Sequence, residues 1–148
     1  MVRQEDAAAE VRRGATRLAR RLRAERPDGS LSANKVSVLA YLHKHGSGTP
    51  GGVAAAEHQQ PQSLTRVFTE LEEAGLISRG RSDSDGRQAV LRLTAAGRAA
   101  LTRDMRHRDA WLAAALGELT ETEIELLRLA GRLMDRLADT DTDAVSED

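Results

Sequence analysis

One interruption in an otherwise helical sequence constrains the fold most. Between Gly75 and Thr94 the helical spacing of apolar residues stops. Residues 76–81 are a short extended run, residues 82–86 read Ser-Asp-Ser-Asp-Gly, and small or apolar side chains alternate along residues 88–93. Alternation on both sides of a polar turn is typical of a β-hairpin. The sequence therefore predicts a mainly α-helical protein with one small two-stranded hairpin.

Four helices are predicted before the hairpin. The first covers residues 7–26, where Val11, Ala15, Leu18 and Leu22 recur at helical spacing, and Pro-Asp-Gly at 27–29 ends it. Ser32 can cap a second helix, which Gly46 ends, and residues 45–49 (His-Gly-Ser-Gly-Thr) read as a linker. A cap followed by proline opens the third helix at Thr49 and the fourth at Gln60. The predicted inward residues of the second helix are Val36, Leu39, Ala40 and Leu42.

Two further helices are predicted after the hairpin. Thr94 can cap one that runs to about Leu116, and Thr120 with Glu123 forms a capping box for the last. The order of short helix, tight turn, capped helix and hairpin is that of a winged helix-turn-helix. The apolar stripes of the first and last helices exceed what a winged domain can cover, which indicates dimerisation with a second copy.

These elements predict four segments. Residues 1–30 are the N-terminal dimerisation helix, 31–94 the winged helix-turn-helix DNA-binding domain, and 95–139 the C-terminal dimerisation helices. Residues 140–148 are rich in acids and poor in apolar side chains, which predicts a disordered acidic tail. We find no spanning segment and no secretory signal in the opening residues, so we expect a cytoplasmic protein with no membrane partner.

The chain lacks the residues that several kinds of catalytic, redox and metal site require. With no cysteine, the chain has no thiolate nucleophile, thiol redox sensor or cysteine-ligated metal. The four histidines lack the spacing that places two imidazoles on one helical face. Serine-nucleophile and phosphate-loop motifs are also missing, and the carboxylates suggest no acid/base pair. We therefore expect no enzyme, no cofactor and no metal site. The histidines are His43, His45, His58 and His107.

Charge is distributed unevenly along the chain. A formal net charge of -1 combines net +4 in residues 1–26, net +2 in 27–117 and net -7 in 118–148. The balanced total does not exclude nucleic-acid binding, but it requires that any DNA-binding surface be local.

Residues 60–101 carry a resemblance to the MarR family of bacterial transcriptional regulators. Three motifs support it: Leu64–Ile77 (LTRVFTELEEAGLI), Asp85-Gly86-Arg87, and Leu93–Gly97 (LTAAG). The resemblance implies a triangular homodimer with interleaved terminal helices, in which each winged domain reads half of an inverted repeat in double-stranded DNA. Gln59, where the family usually has an apolar residue, and the Gly51-Gly52 pair depart from the family pattern.

The fourth helix is the predicted recognition helix. Helical spacing turns Leu64, Phe68 and Leu71 inward. The polar, non-acidic residues that remain outward are Gln62, Ser63, Thr65, Arg66 and Thr69, with Gln60 at the entrance. Gln62 could pair with an adenine edge and Arg66 with guanine or phosphate; Ser63 and Thr65 suit phosphate oxygens or thymine methyls. The alternative is an ordinary solvated helix face.

The hairpin supplies the predicted wing contacts. Arg87, oriented by Asp85, could enter the minor groove, and Arg79 and Arg81 could contact phosphates. The alternatives are a surface ion pair for Arg87 and solvated charges for the other two.

The sequence leaves two questions undecided, namely where an effector would bind and whether the protein has a different function. In the family, small aromatic molecules often bind between the dimerisation helices and the winged domain, and Tyr41, His45 and Trp111 could line such a crevice here. Simple packing is the alternative for Trp111. We expect a sequence-specific regulator, a repressor by preference, which a small aromatic ligand could release from DNA. The rival is a winged-helix protein-interaction module that does not read DNA, which the acidic tail and balanced charge would suit.

Overall fold

The computed structural model describes residues 1, 3–82, 84 and 86–140, and over these residues it confirms a mainly α-helical chain with a small antiparallel sheet. The predicted tail therefore lies outside the described residues from position 141 onward. The six helices and the hairpin follow in the order that the sequence predicts, and one short strand is added between the second and third helices. In chain order they are α1 (Gln4–Ala24), α2 (Ala33–His45), β1 (Ser47–Gly48), α3 (Pro50–Ala56), α4 (Pro61–Glu73), β2 (Ile77–Arg81), β3 (Ala89–Leu93), α5 (Ala95–Leu116) and α6 (Glu121–Ala138).

Most helix starts follow the capping chemistry read from the sequence. The side chains of Ser32, Thr49 and Thr94 each accept a hydrogen bond from a first-turn backbone N–H, at 3.0 to 3.3 Å. Thr120 and Glu123 form the complete capping box. Gln60 occupies the N-cap position of α4 but forms no side-chain cap, so the predicted cap there is wrong and Pro61 alone marks the start. Glutamine is not among the preferred N-cap residues.

The sheet has a third strand, β1, in the segment where the sequence predicts a linker. β2 and β3 form the predicted hairpin, with Ile77 opposite Leu93 and Arg81 opposite Ala89. β1 joins the other side of β3, giving the order β1-β3-β2 among the described residues. A Cβ at Gly48 would lie 2.7 Å from Cε1 of Tyr41, so only glycine fits this approach of β1 to α2.

Among the described residues, one apolar cluster is formed by α2, α3, α4, the sheet and Leu101 of α5. On α2 the buried residues are Val38, Leu39 and Leu42, whereas Ala40 is exposed and Val36 is half-buried. The predicted inward face of α2 was therefore wrong at Ala40, because Val38 points inward instead. α4 contributes the residues expected of it, and the sheet contributes Ile77 and Leu91. This cluster fixes α4 against the sheet.

The chain forms two compact units, Met1–Leu112 and the part that begins at Ala113. The second unit contains the end of α5 and all of α6, whose large apolar side chains are mostly exposed. α1 in the first unit begins three residues before the predicted start and also exposes apolar side chains, Val11 and Leu18.

Candidate nucleic-acid interface

The predicted recognition helix presents one buried and one exposed face. Leu64, Phe68 and Leu71 of α4 are each at most 2% exposed, as the sequence analysis expects. The polar residues between them are exposed along the first two and a half turns of the helix, which is the part that would enter a groove. These exposed residues are Gln62, Ser63, Thr65, Arg66 and Thr69, and Gln60 is exposed at the helix entrance.

The two threonines of this face use their hydroxyl hydrogens within the helix. Thr65 Oγ1 donates to the carbonyl of Pro61 at 3.2 Å, and Thr69 Oγ1 donates to the carbonyl of Thr65 at 3.1 Å. A hydroxyl has only one hydrogen to donate. In this rotamer neither threonine can donate to a phosphate, so apolar contact through the methyl group is the better match to their geometry.

Arg66 belongs to a three-residue charge cluster at the middle of α4. Its Nε donates to Oε1 of Glu70 at 2.7 Å, while Nζ of Lys35 lies 2.8 Å from the other oxygen, Oε2. Hydrogen bonds from Lys35 and then Arg66 lower the pKa of the Glu70 carboxyl below its ordinary value. The Arg66 side chain is nevertheless 90% exposed. The Arg66 side chain is thus paired with Glu70 and still accessible to a binding partner.

The hairpin of β2 and β3, which is the predicted wing, has three arginines around one cleft. Arg79, Arg81 and Arg87 line a cleft of about 290 Å³ together with Gly80 and Ala89. Nε of Arg79 lies 3.1 Å from Oε2 of Glu72 on α4. Nη1 of Arg81 donates to the carbonyl of Gly86 at 2.8 Å, and this bond connects the end of β2 to the turn of the hairpin. Asp85, the predicted partner of Arg87, lies outside the described residues. The arrangement offers an anion-binding edge beside α4.

Sequence reasoning missed the contribution of α2 to this surface. Besides Lys35, which reaches Glu70, Asn34 accepts a hydrogen bond of 3.3 Å from the side chain of Gln59, just before α4. The i,i+4 spacing of Arg66 and Glu70 was readable from the sequence. No local signal connects position 35 with position 70, since the contact depends on how α2 packs against α4.

The three residues predicted to line an effector crevice do not form one site but take part in two separate contacts. The rings of Tyr41 and His45 have centroids 4.3 Å apart. Trp111 lies instead against α1, where the guanidinium carbon of Arg21 is 4.5 Å from its ring centroid. A cleft of about 370 Å³ next to that contact is lined by Gly14, Arg17, Leu18, Arg21 and Trp111.

The described residues contain neither a cluster suited to a metal ion nor a helix suited to span a membrane. Among them, no group of three or more histidine, aspartate or glutamate side chains is arranged to hold a metal ion. None of the described helices has the length and apolar character needed to cross a bilayer.

Comparisons with known proteins agree on one family. A sequence model described as the MarR family matches residues 31–89. The chain is 36% identical over 123 residues to an HTH-type transcriptional regulator of Mycobacterium bovis, covering 83% of this chain and 86% of the relative.

Solved structures give the same result. A transcriptional regulator of Pseudomonas aeruginosa PA01 is 33% identical, with a TM-score of 0.73 over 95% of this chain and all of that one. The fold is also similar to that of Bordetella bronchiseptica BpsR, whose DNA binding is regulated by 6-hydroxynicotinic acid, with 22% identity, a TM-score of 0.64, and coverage of 90% and 94%.

The motifs in residues 60–101, the winged arrangement of α2 to β3 and these relatives lead to one assignment. Family members of this kind regulate transcription and are not enzymes. The chain belongs to the MarR family of helix-turn-helix transcriptional regulators.

Proposed function

We propose that the protein is a homodimeric repressor that acts in the cytoplasm and binds an inverted-repeat operator in double-stranded DNA. The observation that carries this proposal is the pairing of an exposed, acid-free half of α4 with a wing cleft lined by three arginines. Residues 31–94 are the proposed DNA-binding part, and residues 1–30 and 95–139 the dimerisation part. Two reading heads related by a twofold axis would bind half-sites about 34 to 36 Å apart.

The residues divide between base reading and backbone contact. Gln62 and Arg66 are the proposed readers of adenine and guanine edges, and Thr65 and Thr69 meet thymine methyls. Gln60, Ser63, Arg79 and Arg81 are the proposed sugar-phosphate contacts, and Arg87, with Asp85, the contact in the minor groove. Phosphate contacts of this kind make binding depend on salt.

Dimerisation would cover the exposed apolar side chains of the terminal helices. On α6 the side chains of Leu126, Leu129, Leu133 and Leu137 are between 43% and 64% exposed, as one chain presents them. A contiguous apolar face of this kind on a monomer marks an interaction surface. A second copy is the proposed occupant, since a twofold axis pairs like faces.

Replacing Leu133 by glutamate is expected to weaken self-association by roughly a hundredfold, or about 3 kcal/mol, because the interface would bury an unpaired carboxylate. Light scattering after size-exclusion chromatography at micromolar concentration measures the change in mass. Arg132→Glu is the matched control, placing the same new side chain on the adjacent, exposed position of α6. A dimer that survives Leu133→Glu would remove α6 from the proposed interface.

We also propose release from DNA by a small aromatic acid. The DNA binding of BpsR is regulated by such a molecule, and the cleft beside Trp111 is lined by that aromatic residue and by two arginines, Arg17 and Arg21. Tyr41 and His45 are the second candidate location. A ligand would lower DNA affinity only by the ratio of its affinities for the free and DNA-bound conformations.

Fluorescence anisotropy tests the proposed function. Labelled duplex from the DNA upstream of the coding sequence is titrated with protein at two salt concentrations, beside a scrambled duplex of equal composition. Operator binding should exceed binding to the scrambled duplex by at least about a hundredfold and weaken as salt rises. If an in vitro selection from random duplexes also enriches no sequence, the protein is an interaction module rather than a reader of DNA.

Arg87→Ala is expected to reduce operator affinity by about tenfold and the salt slope by about one, because one guanidinium is withdrawn from the DNA. The dimer mass should not change. Arg128→Ala on α6 is the control, since it removes the same charge outside the proposed DNA-binding part. Equal affinities of the Arg87 variant and the wild type would exclude the wing tip from the mechanism.

A further inference from the structure

We propose that Glu70 is a positioning residue that sets the orientation in which Arg66 meets a guanine; this inference rests on the proposed function. Glu70 divides its two carboxylate oxygens between two cations. Oε1 accepts from Nε of Arg66 on the preceding turn of α4, and Oε2 lies 2.8 Å from Nζ of Lys35 on α2. The carboxylate thus connects the proposed reading side chain to a second helix.

The second cation distinguishes this cluster from an ordinary surface pair. An exposed i,i+4 ion pair alone restrains its partners little, because both side chains exchange among rotamers in solvent. Here the side chains of Glu70 and Lys35 are 35% and 27% exposed, respectively, so both are partly enclosed between α2 and α4. The Arg66 side chain, at 90%, is the open end of the cluster. Glu70 is therefore fixed from one side and holds Arg66 from the other.

The atom that Glu70 holds determines what Arg66 can offer. Because Nε is directed at the carboxylate, the remaining donors of the guanidinium are the two terminal amino groups, which lie in the exposed part of the side chain. These two groups form the fork that matches O6 and N7 of guanine in the major groove. A side chain already held in its binding geometry loses less conformational freedom on binding. Glu70 should thus raise discrimination for guanine although its charge opposes DNA.

In vitro selection from a pool of randomised duplexes tests the proposal and does not require a known operator sequence. The wild type, Glu70→Ala, Glu73→Ala and Arg66→Ala are each used to enrich sequences, and affinities are then measured for the enriched site and for the same site with its guanine replaced. Glu73→Ala is the matched control, because Glu73 is an exposed acid at the end of the same helix. Both glutamate variants remove one negative charge and should gain similar non-specific affinity.

We expect the wild type and Glu73→Ala to prefer guanine at one position of each half-site by about tenfold or more, and Glu70→Ala to lose about fivefold of that preference. Arg66→Ala should lose it entirely. Glu70→Gln keeps an oxygen acceptor for Arg66 and should lie between Glu70→Ala and the wild type, which preserves the test if the alanine variant folds poorly. Thermal melting of each variant checks the fold.

Three results would overturn the proposal. If Glu70→Ala keeps the guanine preference of Glu73→Ala, Glu70 does not position Arg66. If the preference increases, Glu70 restrains Arg66 rather than presenting it. If Arg66→Ala still selects guanine, another residue reads that base. A wild-type protein that enriches no motif would instead refute the proposed function itself, and this inference with it.

Discussion

Gly97→Ala is expected to lower the free energy of unfolding by about 3 kcal/mol or more, because there is no space for a methyl group at this position. A Cβ there would lie 1.9 Å from the carbonyl oxygen of Leu76 and 2.8 Å from Cδ1 of Leu93. The Leu76 carbonyl cannot move away freely, since it accepts a hydrogen bond from the backbone N–H of Thr94 at 3.2 Å. The added methyl would therefore separate the start of α5 from the junction between α4 and β2.

Urea unfolding followed by circular dichroism measures this effect. Gly51→Ala is the control, because it adds the same methyl group to a helical glycine with no heavy atom within 4 Å of the new Cβ. Alanine is the better helix former, so that variant should change stability by between zero and about 1 kcal/mol in the stabilising direction. Similar stabilities for the two variants would show that α5 can shift away from Leu76 at little cost.

This close approach gives a physical reason for the last glycine of the Leu93–Gly97 motif. The hydroxyl of Thr94 donates to the carbonyl of Gly75 at 2.7 Å and accepts from the backbone N–H of Gly97 at 3.0 Å. Thr94 and Gly97 together thus hold the start of α5 against the turn that follows α4. The sequence showed both residues, but only the structure shows that they hold α5 against the turn after α4.

Local chemistry explains which parts of the fold could be predicted. Ser32, Thr49 and Thr120 bind backbone N–H groups within three residues, so their sequences alone locate helix starts. Gly75 has a φ of 72°, a conformation that favours glycine, and ends α4 where predicted. The inward face of α4 followed from helical period, which is why the exposure of the proposed reading residues was also correct.

Non-local pairing explains what could not be predicted. β1 pairs Ser47 with Arg92, 45 positions later, and two residues are too few to show a strand pattern. On α2 both Val38 and Ala40 fit an apolar stripe, and only packing against α4 and the sheet selects Val38. Lys35 joins the candidate site for the same reason. Sequence reasoning located the exposed polar face of α4 but not Lys35 of α2, which contacts it.

Asp104→Asn is expected to lower the free energy of unfolding by about 3 kcal/mol, because it leaves a buried guanidinium without its anion. Asp104 is 6% exposed, and its Oδ2 lies 3.0 Å from Nη2 of Arg108, whose side chain is 13% exposed. Arg108 also donates to the sulfur of Met105, which is a weak acceptor. Asparagine can still accept from the backbone N–H of Leu31, as Oδ1 of Asp104 does at 3.1 Å, so the substitution isolates the loss of charge.

The double variant Asp104→Asn with Arg108→Met tests this explanation, since it removes the unpaired cation and should recover most of the lost stability. Asp109→Asn, at an exposed position of the same helix, should change stability by no more than about 0.5 kcal/mol. Urea unfolding of the wild type, Asp104→Asn, Arg108→Met and the double variant gives the coupling energy of the pair. If Asp104→Asn alone is as stable as the wild type, this ion pair within α5 does not stabilise the fold. If the double variant is no more stable than Asp104→Asn, the unpaired Arg108 is not the cause of the loss. The loss then comes from the hydrogen bond of Leu31 N–H, which is weaker to a neutral amide oxygen than to a carboxylate.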